Sequence, residues 1–311
     1  MLDDDEEVMP EYDRDALGAT FAVGNGKGGV GKTTVVSNVA GLAAADGARV
    51  LIVDINGQGN VGRDLGYRDS PEDDRGKGLV DALVHGKPLQ PIANVRPNLD
   101  VVPGGEYVSE LPDMLRLAFP KQKFRQVLAL AISLAPMARQ YDAVFIDSAP
   151  ENPPLEQLAL AAARWMIAPT KSDAGSIKDG LGDIARQFAV VQRKVNSSLG
   201  LLGVVLFASG SRSSQIRRRA RDKIGEVLGS DFYMFESTIR HAEAVGVDAR
   251  DRGLLVHELE VAAANNPAFW ELRAGDSDKP VISKTSSSVA EDFAQLAREI
   301  FTRVAELEGR A

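Results

Sequence analysis

The run Gly26-Lys27-Gly28-Gly29-Val30-Gly31-Lys32-Thr33-Thr34 constrains this chain more than any other stretch. It fits G-x-x-x-x-G-K-[ST], a loop whose backbone N–H groups wrap a polyphosphate. Glycine permits that wrap because it tolerates left-handed backbone angles. Lys32 can reach the β- and γ-phosphate oxygens, and the Thr33 hydroxyl can ligate Mg²⁺. A helix starting at about Gly31 turns its positive end toward the same anion. The flanks agree with the motif. Thr20-Phe21-Ala22-Val23 reads as a short strand, and Thr34 to Ala43 reads as a helix packed on a sheet. Lys27 is a second lysine that the ordinary loop does not need, and its side chain would most naturally leave its own loop.

Further along, strand and helix patterns alternate, which predicts an α/β fold with a mostly parallel twisted sheet and helices on both faces. Strands are expected at Thr20–Gly24, Arg49–Asp54, Leu99–Val102, Ala143–Asp147, Trp165–Ala168 and Leu201–Phe207, with an edge strand at Phe232–Phe235. Helices are expected at Lys32–Ala45, Leu79–Val84, Lys123–Arg139, Leu155–Ala163, Ile177–Lys194, Ser214–Leu228 and about Val289–Leu307. Ligands in such sheets bind at the carboxyl ends of the strands. The glycine loop, Asp54–Asn60 and Asp147–Pro150 all follow strands there, so they are expected to converge. Asp147 ends an apolar strand and is assigned to hold Mg²⁺ through water. Asp54 ends another and is assigned to the same magnesium and switch region, with Gln58, Gly59 and Asn60 beside it.

The three segments together resemble the deviant phosphate-loop ATPases, the ParA/Soj and MinD group. K-G-G-x-G-K-[ST] is Lys27 to Thr33. Val50 to Asn60 resembles the D-x-D-P-Q-G-N segment, and Tyr141 to Pro150 the Y-D-x-[hydrophobic]₃-D-x-P-P segment. The resemblance covers about Thr20 to Gly253. It implies a deviant P-loop NTPase that binds ATP and Mg²⁺ through residues 26–34, Asp54, Gln58 and Asp147. It also implies catalysis involving Lys27, Lys32, Asp54, residue 56 and Asp147, in a homodimer in which Lys27 contacts the partner's nucleotide. One departure matters: the second switch aspartate is Asn56, followed by Gly57. Asparagine can orient a water but cannot accept its proton at neutral pH. Slow, Mg-dependent hydrolysis is therefore expected if Asn56 has that role; alternatively Asn56 is a turn residue before Gly57. An adenine contact is sought near Ser237-Thr238-Ile239-Arg240, Pro169 and Thr170.

The chain has 311 residues, no cysteine, 3 histidines and a formal net charge of −8. These exclude a disulfide framework and a histidine-rich metal site, and fit a reducing cytoplasm. Residues 1–17, with Asp3-Asp4-Asp5-Glu6-Glu7, are expected to be a disordered acidic arm, and 18–311 one P-loop ATPase domain including the last helix. Against the acidic whole stands Arg212 to Lys223, a basic cluster at helical spacing. Read plainly it is a solvated helix face. The resemblance implies non-specific DNA binding by Arg212, Arg217, Arg218, Arg219, Arg221 and Arg240. The last helix carries Glu291, Asp292, Glu299, Glu306 and Glu308. An interfacial membrane helix needs a basic polar face, so this one is expected to pack on the domain, with no membrane partner. The resemblance thus implies a cytoplasmic, nucleoid-associated ParA-type ATPase that partitions a plasmid or chromosome region. Hydrolysis stimulated by a ParB-type partner would release it from DNA. The alternatives are a MinD-like membrane-positioning ATPase, a metabolic deviant-loop enzyme, and an ATP-binding scaffold with little turnover.

Overall fold

The computed structural model describes residues 7–208, 214–240, 243–264 and 286–309. Among them, eight strands form one sheet: β1 (Thr20–Val23), β2 (Val50–Ile55), β3 (Ile92–Arg96), β4 (Leu99–Val102), β5 (Ala143–Ser148), β6 (Trp165–Lys171), β7 (Gly200–Ala208) and β8 (Met234–Arg240). Their order is β3-β4-β2-β5-β1-β6-β7-β8. Every pair is parallel except β3–β4.

Parallel neighbours require crossovers, and helices supply most of them. These are α1 (Lys32–Ala45), α2 (Asn60–Asp64), α3 (Lys77–His85), α4 (Leu111–Ala118), α5 (Lys123–Val127), α6 (Ala129–Ala138), α7 (Pro153–Ala162), α8 (Gly182–Lys194), α9 (Ser214–Leu228), α10 (Glu243–Arg252), α11 (Val256–Ala264) and α12 (Ser286–Leu307). A π-helical turn, Ser176–Leu181, leads into α8. The fold is α/β with helices on both faces, as the alternating pattern predicts.

The central strands are covered on both sides. β2 and β5 are buried along their whole length, which is why each reads as an apolar run rather than an alternation. Successive side chains still go to opposite faces. Val144 and Ile146 enter one core with Leu83, Leu134 and Leu158. Ala143 and Phe145 enter the other with Val35, Val39, Phe293 and Ile300. Phe145 stacks on Phe21 with centroids 5.0 Å apart, and Phe301 meets both rings edge-on.

The differences from the sequence reading have physical causes. The edge strand expected at Phe232–Phe235 lies at Met234–Arg240. β3 was not expected, because none of its residues is fully buried and no apolar pattern marks it. The single helix expected over Lys123–Arg139 is two, broken at Leu128 where ψ is 0°. Residues 7–17 are not a free arm. Ala16 and Leu17 are buried, the Glu7 carboxylate accepts the Lys123 and Phe124 N–H groups at 2.8 Å, and Arg14 donates to the Ala161 carbonyl. The charge run at 3–7 hid the apolar anchor that follows it. α12 packs its apolar stripe of Val289, Phe293, Leu296 and Ile300 on the domain.

The Phe21–Phe145–Phe301 cluster joins the two central strands to α12. Phe145→Ala is expected to cost about 3–5 kcal/mol in urea unfolding, the range for deleting a buried aromatic side chain. A loss below about 1 kcal/mol would show that this cluster does not carry the centre of the sheet.

Candidate functional site

The loop between β1 and α1 is held from outside before it binds anything. Asn25 is fully buried; its amide donates to the Pro169 carbonyl at 2.8 Å and its Oδ1 accepts the Lys27 N–H at 2.9 Å. The Gly26 N–H donates to Gly180 O, in the π-helical turn, at 3.0 Å. A wide turn of this kind frees carbonyls from the helical ladder. At Gly31 the constraint is double. Its φ is +94°, and a Cβ there would lie 2.5 Å from the Phe207 ring. Glycine is the residue that meets both conditions.

Lys32 is buried at 6% exposure. Its ammonium donates to the carbonyls of Asn25 and Lys27, both at 2.9 Å. Burial pulls its pKa down, while Asp147, Glu156 and Glu151 act to raise it. Lys27 leaves the loop, and its ammonium sits 3.6 Å from Asp173, with both side chains about half exposed.

Two acids face the loop. Asp54 and Asp147 are register partners on the adjacent strands β2 and β5, and both are fully buried. The Thr33 hydroxyl donates to Asp147 Oδ2 at 2.7 Å, while Asp147 Oδ1 has no hydrogen-bond partner. Asp54 accepts the N–H groups of Asn56 at 3.1 Å and Val61 at 3.4 Å. Burial raises the pKa of both carboxyls well above the usual range, and the charge of Asp147 raises Asp54 further. A buried carboxylate oxygen without a partner, beside a threonine hydroxyl, fits a divalent cation held partly through water. Among the described residues no His/Cys/Asp/Glu group of three or more could cage a metal.

Asn56 is 4% exposed, and its side-chain oxygen accepts the Gln58 N–H at 3.0 Å. Its carbonyl accepts the N–H groups of Gly59 and Gly105. In this geometry Asn56 makes the hydrogen bond that the turn reading expects. Gln58 points outward, its carbonyl taken by Arg68 and its side-chain oxygen by Asn60. Beside the loop a cavity of about 360 Å³ is lined by Gly31, Thr34, Lys171, Phe207, Ile239 and Val245, among others. Ile239 was sought there from the sequence; Phe207 was not.

The basic cluster divides. Arg217 donates to the Phe235 carbonyl at 3.1 Å and pairs with Glu236 at 2.8 Å. Arg240 grips Asp292 of α12 through Nε at 2.7 Å and Nη2 at 2.8 Å. Both arginines brace β8 rather than face solvent. Arg218, Arg219 and Arg221 are exposed on α9, and Arg212 lies outside the described residues. Sequence reading also missed Asn25, whose role depends on β6 and the π-helical turn, and Glu156. The latter is 2% exposed, its Oε1 has no partner, and burial raises its carboxyl to about 7 against the pull of Lys32.

With this geometry in hand, similarity to known proteins is specific. A family model described as an AAA domain matches residues 18–201. The chain is 32% identical over 213 residues to the chromosome-partitioning ATPase Soj of Thermus thermophilus, covering 66% of this chain and 77% of that one. It is 30% identical over 202 residues to the chromosome partitioning protein ParA of Myxococcus xanthus, covering 64% and 68%. Among solved structures, an ATP complex of McdA from Cyanothece superposes with a TM-score of 0.68 at 19% identity, over 92% of this chain and 97% of that one. The cell division ATPase MinD of Pyrococcus furiosus does so at 0.59 and 19%, over 92% and 99%. The family match and these relatives make the chain a member of the ParA/Soj-type P-loop ATPases of the ParA/MinD family.

Proposed function

We propose that this chain is a partition ATPase whose Mg-ATP state pairs two copies, binds DNA without sequence preference, and is released when a ParB-type partner stimulates hydrolysis. The observation that carries the reading is the Thr33–Asp147 pair with its unpartnered carboxylate oxygen, set beside a buried Lys32 and an outward-reaching Lys27. In this reading the loop amides of Gly28, Gly29 and Gly31 cradle the phosphates. Lys32 exchanges its two carbonyl partners for β- and γ-phosphate oxygens. Thr33 and Asp147 would hold the cation. Bound Mg²⁺ supplies neutralisation of charge on the β- and γ-oxygens. Lys27, held only by a half-exposed ion pair that is worth little in water, is free to exchange Asp173 for a partner's nucleotide. Asp54 keeps the switch turn in place through Asn56 and Val61. The protein would act in the cytoplasm on the nucleoid. The packing of α12 and its internally bonded Asp292 and Glu299 speak against a membrane-positioning role. Among the described residues no helix is long and apolar enough to cross a membrane.

Calorimetry tests the nucleotide part. Mg-ATP binding is expected in the parent chain and is lost in Lys32→Ala. Lys27→Ala is expected to keep nucleotide binding and lose ATP-dependent dimerisation in light scattering. A charge supplied in trans is worth ~10³–10⁵ in rate in related phosphoryl transfers, so turnover should collapse with it. Parent-like behaviour of Lys27→Ala would remove the deviant-loop mechanism.

DNA binding is assigned to the exposed arginines alone. Arg218→Glu, Arg219→Glu and Arg221→Glu together should abolish mobility shifts of unrelated duplexes while leaving ATP affinity intact. In the parent, log K is expected to fall with log salt by about 0.9 per phosphate neutralised. Equal binding with ATP and ADP, or intact binding in the triple variant, would return the cluster to a solvated helix face.

A further inference from the structure

Asparagine at position 56 cannot take a proton from an attacking water at neutral pH. Asn56 is buried and its side-chain oxygen is already bonded to Gln58 N–H. Asp54 and Asp147 are fully buried and directed to the switch turn and Thr33. Glu156 is buried behind Lys32. A further acidic residue, Glu151, is tied to the phosphate loop through its backbone.

Glu151 lies four residues after Asp147, in the loop between β5 and α7. Its backbone is left-handed, with φ +56°, unusual for a residue with a side chain. Strained backbone of this kind persists where the surroundings impose it, and it gathers at functional sites. The Glu151 N–H donates to the Gly26 carbonyl at 3.2 Å. The neighbouring carbonyls, of Asn25 and Lys27, hold the Lys32 ammonium. The lysine that marks the terminal phosphate and the backbone of Glu151 are therefore fixed to three consecutive carbonyls of one loop. The Glu151 side chain is exposed, and its carboxylate makes no hydrogen bond or ion pair among the described residues. Its charge is felt by Lys32.

We propose that Glu151 is the catalytic carboxylate of this chain, orienting the attacking water at the terminal phosphate and taking its proton. The inference rests on the ATPase reading above. The water oxygen bonds to the γ-phosphorus. The bond from that phosphorus to the β,γ-bridging oxygen breaks, its electron pair going to ADP. The water proton passes to a Glu151 carboxylate oxygen and from there to solvent. The acceptor lost at position 56 is thereby supplied from the loop after β5, pinned to the phosphate loop by one hydrogen bond.

The test uses the full chain with Mg-ATP and three readouts: affinity by calorimetry, single-turnover hydrolysis, and the lifetime of the ATP-dependent dimer. Glu151 is exposed, so its substitution should leave folding essentially unchanged. Glu151→Gln is expected to bind Mg-ATP like the parent, to hydrolyse it about 100-fold more slowly or worse, and to prolong the dimer in proportion. Adding Asn56→Asp to Glu151→Gln should restore part of the rate. If Glu151→Gln hydrolyses at the parent's rate, or the parent binds Mg-ATP without turning it over, the assignment of Glu151 is overturned and nucleotide binding stands. If the parent does not bind Mg-ATP at all, the proposed function falls and takes this inference with it.

Discussion

Two carboxyl groups buried side by side at the ends of β2 and β5 set the terms for everything around them. Removing an ionised carboxylate from water is costly unless it is paired or hydrogen-bonded. Asp54 is satisfied by backbone N–H groups of the turn that follows it, so the turn is organised by the acid. Asp147 is satisfied on one oxygen only, by Thr33. Burial raises both carboxyls above the usual range, and the charge of Asp147 raises Asp54 further. The phosphate loop and α1 attach to this pair through Thr33, and the switch turn through the Asn56 and Val61 N–H groups.

Much of this was legible before any coordinates. The boundaries of α1, β4 and α9 coincide with the expected ones, and β1, β2 and β5 differ by a residue at one or both ends. Their apolar runs and glycine punctuation speak through local physics alone. The convergence of the loop with Asp54 and Asp147 followed from strand ends in a parallel sheet. Illegible were features set by distant packing. β3 carries little apolar signal of its own, and α4 is a short helix with a proline in its first turn. Asn25 acquires meaning only when Pro169 and Gly180 arrive beside the loop. The arginines were read as one patch because they are adjacent in sequence. Whether each faces water depends on Glu236 and Asp292, far along the chain.

That division changes what a basic segment means. Arg217 and Arg240 are cations by sequence and braces by structure, joining α9 to β8 and β8 to α12. Their paired charges add little to the outward field. Arg218, Arg219 and Arg221, in contrast, stay exposed on α9.

The contact between Gly31 and Phe207 carries a consequence of its own. With no Cβ at residue 31, the aromatic ring fills the space a side chain would occupy, and the two segments touch with no slack. Residue 31 opens α1, and Phe207 lies near the end of β7, the strand that precedes α9. A rotation of the peptide at residue 31 must push the ring or be refused by it.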